Sequence, residues 1–355
     1  MLFRRRNQLI GLDIGTHSVK VAEIVNSQKG YILKKMANAP FPAGLFKDGE
    51  PKDPGHVSMI IKDLFVRNKI NIKNVAMSIG GYSAIVKPIT INNAKADDPD
   101  LHKRVFEEAE HYIPFDISEV NIDFQVMGPS DQNPNQLSIL LVAAKKNVIE
   151  KYVSIATDAG LNPVIMDIDA FAVQNIFELN EPDVSDAVLI NVGANKISLN
   201  IIKEGHSVFM REVAMGASKI TEEIMSMVPG ISFEEAEDIK KGLSENDSIT
   251  KIDIDQILAS VSADWSNEIA RAIDFFYSNY AAREQVPKIY ICGGGSNISR
   301  FSEDLASHIG SKVELLEPLQ VIHTDKVDIS EEELEMISSE FCVALGLGLR
   351  KMDDK

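Results

Sequence analysis

The sequence predicts an α/β protein of two related halves, with an α+β subdomain inserted into the first. Three observations carry that prediction. At 355 residues the chain is long for a single core, so two domains are the default. An apolar strand, a polar turn and a second strand open the chain in "QLIGLDIGTHSVKVAEIV", and the same plan returns 178 residues later in "VLINVGANKISLN". Between the two repeats, the stretch from about Ser83 to Leu161 reads as a β-α-β-β-α unit of its own.

Taken in order, Val19 and Val21 alternate with Lys20 and Ala22 as in a strand; "NSQKG" turns the chain, and "YILKKMANAPF" continues as a third strand. Val57, Ile60, Ile61, Leu64 and Phe65 follow at helical spacing. Within the inserted unit, "SAIVKPITI" and "VNIDFQVMG" are strand-like. They flank an amphipathic helix in "DPDLHKRVFEEAEHYIPF" that Pro114 stops. "SDQNP" is a loop tip, "QLSILLVAAKK" a buried strand, and "KNVIEKYVSIATDAGL" a helix with Gly160 in the stop position. In the second repeat Asp13 and Gly15 fall opposite Asn191 and Gly193, and Val19 and Val21 opposite Ile197 and Leu199. Helices then follow in "ASKITEEIMSMV", "SFEEAEDIKKGL" and the long "DIDQILASVSADWSNEIARAIDFFYSNY", where Trp265 is expected in the core. "KIYICGGGSNISRFSEDLASHIG" is a strand, a glycine cluster and a helix, and "SEEELEMISSEFCVALGLGLR" is a helical finish.

Composition narrows the function classes. A net charge of −17 argues against a nucleic-acid partner. Two cysteines, Cys292 and Cys342, exclude a disulfide framework and a four-cysteine zinc site. The seven histidines are scattered, and no G-x-S-x-G nucleophile signature occurs. Arg4, Arg5 and Arg6 read as a solvated tail, and no apolar run approaches the ~20 residues of a spanning helix. A cytoplasmic location is expected.

Three loops carry the candidate chemistry. In the first, Gly15 lets the backbone approach a polyphosphate. Thr16, with His17 and Ser18 in the same turn, adds polar groups, Lys20 adds positive charge, and Asp13 stands where a carboxylate can hold Mg²⁺ through its waters. The second loop, at Asn191, Gly193, Ala194 and Asn195, supplies an opposing wall. The third, Gly293, Gly294, Gly295, Ser296 and Asn297, joins a strand to a helix N-terminus, where backbone donors favour polar or anionic ligand groups.

In this order of loops, and over the whole chain, the sequence resembles the actin-like ATPase superfamily. The resemblance implies duplicated actin-like (ribonuclease H-like) domains around a nucleotide cleft, with ATP or ADP and Mg²⁺ as ligands. By resemblance, Asp13, Gly15, Thr16 and Lys20 serve the metal and phosphates. "AEDIK" is similar to the superfamily's Ala-Glu-x-x-Lys helix, which implies Glu237 and Lys240, with Lys241, beside the ribose and base. "EEAEHYIPFDISEV", "DFQVMG", "LLVAAKKNVIEKYVSIATDAGLNPVIMDID" and "ALGLGLR" narrow the resemblance to the PilM family of type IV pilus assembly, whose extra subdomain, like that of FtsA, sits in this early position. It implies a cytoplasmic scaffold at the inner membrane. That scaffold takes the N-terminal cytoplasmic peptide of a PilN-like membrane protein and links it to pilus motor ATPases and the platform protein.

Two departures matter. The superfamily usually has Asp where this chain has Asn191, which weakens metal-assisted catalysis more than binding. The residue that would orient an attacking water corresponds to Asp169, and any hydrolysis is expected to be slow. The expected organisation is subdomain 1A from 1–82, 162–186 and 330–355; 1C from 83–161; 2A from 187–229 and 286–329; and 2B from 230–285. An FtsA-like polymerising protein, a small-molecule kinase and a degenerate scaffold without nucleotide remain as alternatives.

Overall fold

The computed structural model describes residues 8–354 except 48, 81–83, 131, 132, 134, 281–284, 299 and 353. The Arg4–Arg6 cluster and most of the "SDQNP" tip therefore lie outside the described residues. The first half begins with β1 (Ile10–Ile14), β2 (Ser18–Ser27), β3 (Gly30–Pro40), the short pair β4 (Phe46–Lys47) and β5 (Glu50–Pro51), α1 (Pro54–Arg67) and β6 (Asn74–Ile79). The insertion holds β7 (Ala84–Asn92), α2 (Leu101–Ala109), β8 (Val120–Pro129) and β9 (Gln136–Lys145), then α3 (Lys146–Asp158) leads to β10 (Asn162–Ile168) and α4 (Asp169–Asn180). The second half comprises β11 (Ala187–Val192), β12 (Ile197–Lys203), β13 (His206–Val213), α5 (Ser218–Met227), α6 (Phe233–Lys240), α7 (Lys251–Tyr280), β14 (Ile289–Cys292), α8 (Phe301–Ile309) and β15 (Val313–Leu315). Helices α9 (Glu331–Ile337) and α10 (Cys342–Gly348), with a 3₁₀ turn between them, make up the expected helical finish.

The repeat read from the sequence is a structural duplication. The two large sheets run β3-β2-β1-β6-β10 and β13-β12-β11-β14-β15. In each, the first three strands are antiparallel and the last two join in parallel. The registers match as well: Leu12 pairs with Val21 in one hairpin and Ile190 with Leu199 in the other. The insertion's sheet, β7-β9-β8, is antiparallel and keeps its own core with α2, built on Ile89, Val105, Ile139 and Leu141. Helix α3 follows that sheet in the chain but packs Ile155 and Ala156 onto the first large sheet beside α1, where Ser58 Oγ donates to the Ile155 carbonyl at 2.9 Å.

Strand β2 corrects the simple alternation expected of it. Val19 and Val21 pack under α1 on one face, while Ala22 and Ile24 pack on the opposite face with α4 and α10. Both faces are dry because the sheet is covered on both sides. The α4–α10 layer is shared: it also meets Ala187, Leu189 and Tyr290 of the second sheet. Beyond that sheet, α5 to α8 form a separate core around fully buried Trp265, which meets Phe301 edge-on at 5.2 Å.

The shared layer is possible only because "ALGLG" lets backbones touch. A Cβ on Gly346 would lie 1.7 Å from the Ala172 carbonyl oxygen of α4, and one on Gly11 would lie 1.9 Å from that of Ala344. These contacts hold α10 against α4 and β1, and fix the floor between the halves.

Candidate nucleotide site

The first and second loops are the same turn built twice. Gly15 N–H donates to the Ser18 carbonyl at 3.1 Å, and Gly193 N–H donates to the Lys196 carbonyl at 2.8 Å, again 178 residues apart. In the first, β1 and β2 place Asp13 opposite Lys20. In the second, the turn is tied to the start of α5: Ala217 and Ser218 N–H donate to the carbonyls of Gly193 and Ala194, and Ser218 Oγ donates to Asn195 Oδ1 at 2.9 Å.

Asp13 stands two residues before Gly15 on β1, within electrostatic reach of Lys20, of Asp169 and of Lys196 at the end of the second turn. Burial pushes its carboxyl up to about 6, against the lowering pull of Lys20. A carboxyl held in this state is returned to its anionic form by a nearby cation, and Mg²⁺ characteristically takes one or two carboxylates and completes its shell with water and phosphate oxygens. The donor set fits such a pair: one carboxylate, a lysine on the facing strand and two backbone turns. Among the described residues no group of three or more His, Cys, Asp or Glu side chains forms a metal cage. Asp13 would hold the ion, which would supply charge neutralisation to the phosphates.

The AEDIK helix, α6, meets the first loop directly. His17 packs its ring against Phe233 with centroids 5.9 Å apart, and burial lowers its pKa, so it is neutral at pH 7. Ser232 caps α6 in a capping box with Glu235, which fixes where the helix starts. Glu237 and Lys240 form a largely buried ion pair, and Lys240 Nζ also donates to Thr221 Oγ1 at 3.0 Å. Burial pushes the Glu237 carboxyl up, but Lys240 and its hydrogen bonds more than offset this and keep it ionised. Burial lowers the Lys240 pKa despite the same pairing. Lys241 lies 4.0 Å from Glu237 and is half exposed.

The third loop differs from expectation in one respect. Helix α8 starts only at Phe301, so Gly293 to Asn297 form a turn of their own and do not open the helix. Their donors serve the protein: Gly293 N–H bonds the Ser339 carbonyl and Gly295 N–H the Val192 carbonyl, both at 2.9 Å. Close packing explains the triplet, since a Cβ on Gly293 would lie 2.3 Å from Asn191 Oδ1 and one on Gly295 would lie 2.3 Å from Val192. Gly294 faces Glu340, and Asn297 Nδ2 donates to the Met336 carbonyl at 3.1 Å. The third loop is thus locked onto the second.

Asp169, the first residue of α4, lies close enough to raise the Asp13 pKa. Its Oδ1 accepts from Ser78 Oγ at 2.7 Å and its Oδ2 from Lys196 Nζ at 2.8 Å. Burial pushes this carboxyl up, but Lys196 and the two hydrogen bonds outweigh it and hold it below the usual range. Sequence reasoning missed Lys196, Ser78 and Glu212. The signal for Lys196 was its place in the second turn, but its partners lie 16 and 27 residues away and have no periodic relation to it. Two surface hollows, one lined by Leu9, Tyr31 and Arg350 and one by Ile322, Thr324 and Leu334, include none of the three loops.

Comparison with known proteins places this arrangement. A family model described as type IV pilus assembly protein PilM matches residues 11–352. A solved PilM–PilN type IV pilus biogenesis complex is 26% identical, with a TM-score of 0.81 over 97% of this chain and 98% of the other. Ethanolamine utilization protein EutJ from Carboxydothermus hydrogenoformans is 16% identical, with a TM-score of 0.55 over 96% of this chain and 89% of the other. MreB5 of Spiroplasma citri bound to ADP is 13% identical, with a TM-score of 0.54 over 95% and 94%. The last two share the fold, which is the actin-like one.

Proposed function

The chain belongs to the PilM family of type IV pilus assembly proteins, and we propose that it is an ATP-binding scaffold at the cytoplasmic face of the inner membrane. It takes the N-terminal cytoplasmic tail of a PilN-like protein and links it to the pilus motor ATPases and platform protein. The pair of matching turns, with Asp13 and Lys20 in one and the Gly193–Lys196 bond in the other, carries the nucleotide part of this reading. Asp13, Gly15, Thr16, Lys20 and the Gly193–Asn195 turn hold the phosphates, with Mg²⁺ beside Asp13. Glu237, Lys240, Lys241 and the Gly293–Asn297 turn flank the ribose and base. The likeness to a solved PilM–PilN complex supports the partner.

The two ligands are linked through the fold. The shared α4–α10 layer touches both sheets, so a nucleotide that binds one arrangement of the halves more tightly changes the surface offered to the tail. The subdomain boundaries expected from the sequence are part of this proposal, except that α3 (Lys146–Asp158) goes with the first large sheet it packs on and not with the inserted unit; the inserted unit lies beside the bound tail. The test is fluorescence anisotropy of a labelled peptide of the PilN cytoplasmic tail, titrated with the full chain alone, with MgADP and with MgATP. Binding in all three conditions, with an affinity that differs between MgADP and MgATP, is expected. Binding with no nucleotide dependence would overturn the coupling, and absence of binding would overturn the partner.

A further inference from the structure

Lys196 crosses from the second half to the first. It stands at the end of the second turn, and its ammonium lies 2.8 Å from Asp169 Oδ2 and 3.0 Å from Glu212 Oε1 of β13. Asp169 opens α4 and is held in turn by Ser78 on β6, so the contact joins β6 and α4 on one side to the second turn and β13 on the other. Gly80, just beyond β6, makes room for the head group: a Cβ there would lie 2.0 Å from Lys196 Nζ and 3.1 Å from Glu212 Oε1. Any other residue at position 80 would displace the ammonium. Glu212 is nearly buried, and two carboxylates in so dry a place require the lysine's charge between them.

We propose that Lys196 is an ionic latch between the two halves, and a positioning residue that keeps Asp169 from acting on a bound nucleoside triphosphate. The second clause rests on the nucleotide reading above; the first does not. In hydrolysis, water oxygen bonds to the terminal phosphorus as the bond to the β–γ bridging oxygen breaks, and ADP leaves with that oxygen and its electrons. One proton of the water must pass to an acceptor. Asp169, within electrostatic reach of Asp13 beside the first turn, is the carboxylate that the nucleotide reading gives this proton to, yet one of its oxygens accepts from Ser78 and the other is paired with Lys196. Such pairing lowers its basicity and orients it toward the lysine. With the neutral amide of Asn191 at the position that matches Asp13 in the second half, the site retains the triphosphate as a structural ligand.

The experiment uses the full chain and three variants: Lys196→Met, Asp169→Asn and the double variant, which removes both charges of the pair. Amide hydrogen exchange of the nucleotide-free proteins reads the latch at 168–172 and 193–197. Each single variant should exchange faster there than the parent, and the double variant no faster than the quicker single one. Unchanged exchange in Lys196→Met, or additive effects in the double variant, would overturn the latch. MgATP affinity by calorimetry and single-turnover phosphate release read the second clause. Lys196→Met should bind MgATP and release phosphate roughly tenfold faster than the parent, and Asp169→Asn should abolish that gain. Bound MgATP with unchanged release would overturn the restraint on Asp169. If no variant and no parent binds MgATP, the nucleotide reading fails, while the exchange data still decide the latch.

Discussion

In the proposed nucleotide site, Asp13 would join function to stability at a single carboxyl. Burial raises its pKa from 3.8 to about 6. A carboxyl that holds its proton more tightly in the folded state gives stability that is present below about pH 4 and lost as the pH rises through about 6. Asp13→Asn should therefore stabilise the nucleotide-free protein at pH 7.5, by an amount on the order of 1 kcal/mol after allowance for partial solvent access. The gap to the parent should narrow at pH 4.5. Urea unfolding at the two pH values checks this; a variant less stable than the parent at pH 7.5 would show that Asp13 is held by partners and not merely tolerated. The same substitution should remove the Mg²⁺ dependence of nucleotide affinity. Gly15 is the companion case. Its Cβ would sit 3.1 Å from the Ser18 carbonyl, and Gly15→Val should abolish MgATP binding, read by calorimetry, while circular dichroism stays that of the parent.

At the scale of elements, α10 and α6 answer different kinds of substitution. Gly346→Val places side-chain atoms inside the backbone of α4, where the nearest oxygen would be 1.7 Å from Cβ. No side chain can yield there, so the variant should lose more than about 4 kcal/mol in chemical unfolding or fail to fold. Ser232→Ala removes only a cap, and should cost about 1 kcal/mol while loosening the helix that carries Glu237 and Lys240. Most elements were legible in the sequence, because their patterns are local: Val57, Ile61 and Leu64 mark α1 by spacing, and Gly160 ends α3 with a positive φ of 80°. What escaped was set by packing. The "ALGLG" stretch read only as part of a helical finish, yet it is where two helices and a strand touch. The alternation of β2 gave one buried face, and the layer on the other side hid the second.

For the whole molecule, the duplication is the organising fact. The two turns and the hairpin registers that flank them repeat with a spacing of 178 residues, the two sheets share one strand order, and the spacing was readable because Asp13-x-Gly15 and Asn191-x-Gly193 preserve it. The candidate site was legible to the extent that it follows the repeat. Lys196, Ser78 and Glu212 have no counterpart of the same chemistry in the other half, so only the folded arrangement brings them together. A ligand bridging both halves should stabilise them together: MgATP at 100 times its dissociation constant adds about 2.7 kcal/mol to unfolding. Calorimetric scanning should then show one transition moving upward. Two transitions, of which only one moves, would mean that the nucleotide rests on a single half.

The most direct test is isothermal titration of MgATP into the purified, nucleotide-stripped chain, repeated without Mg²⁺. The expected result is a micromolar dissociation constant, about −8 kcal/mol, that weakens when the metal is left out. No heat, together with no thermal shift at millimolar ATP, would contradict it and leave the matching turns as a relic in a protein that only holds a peptide.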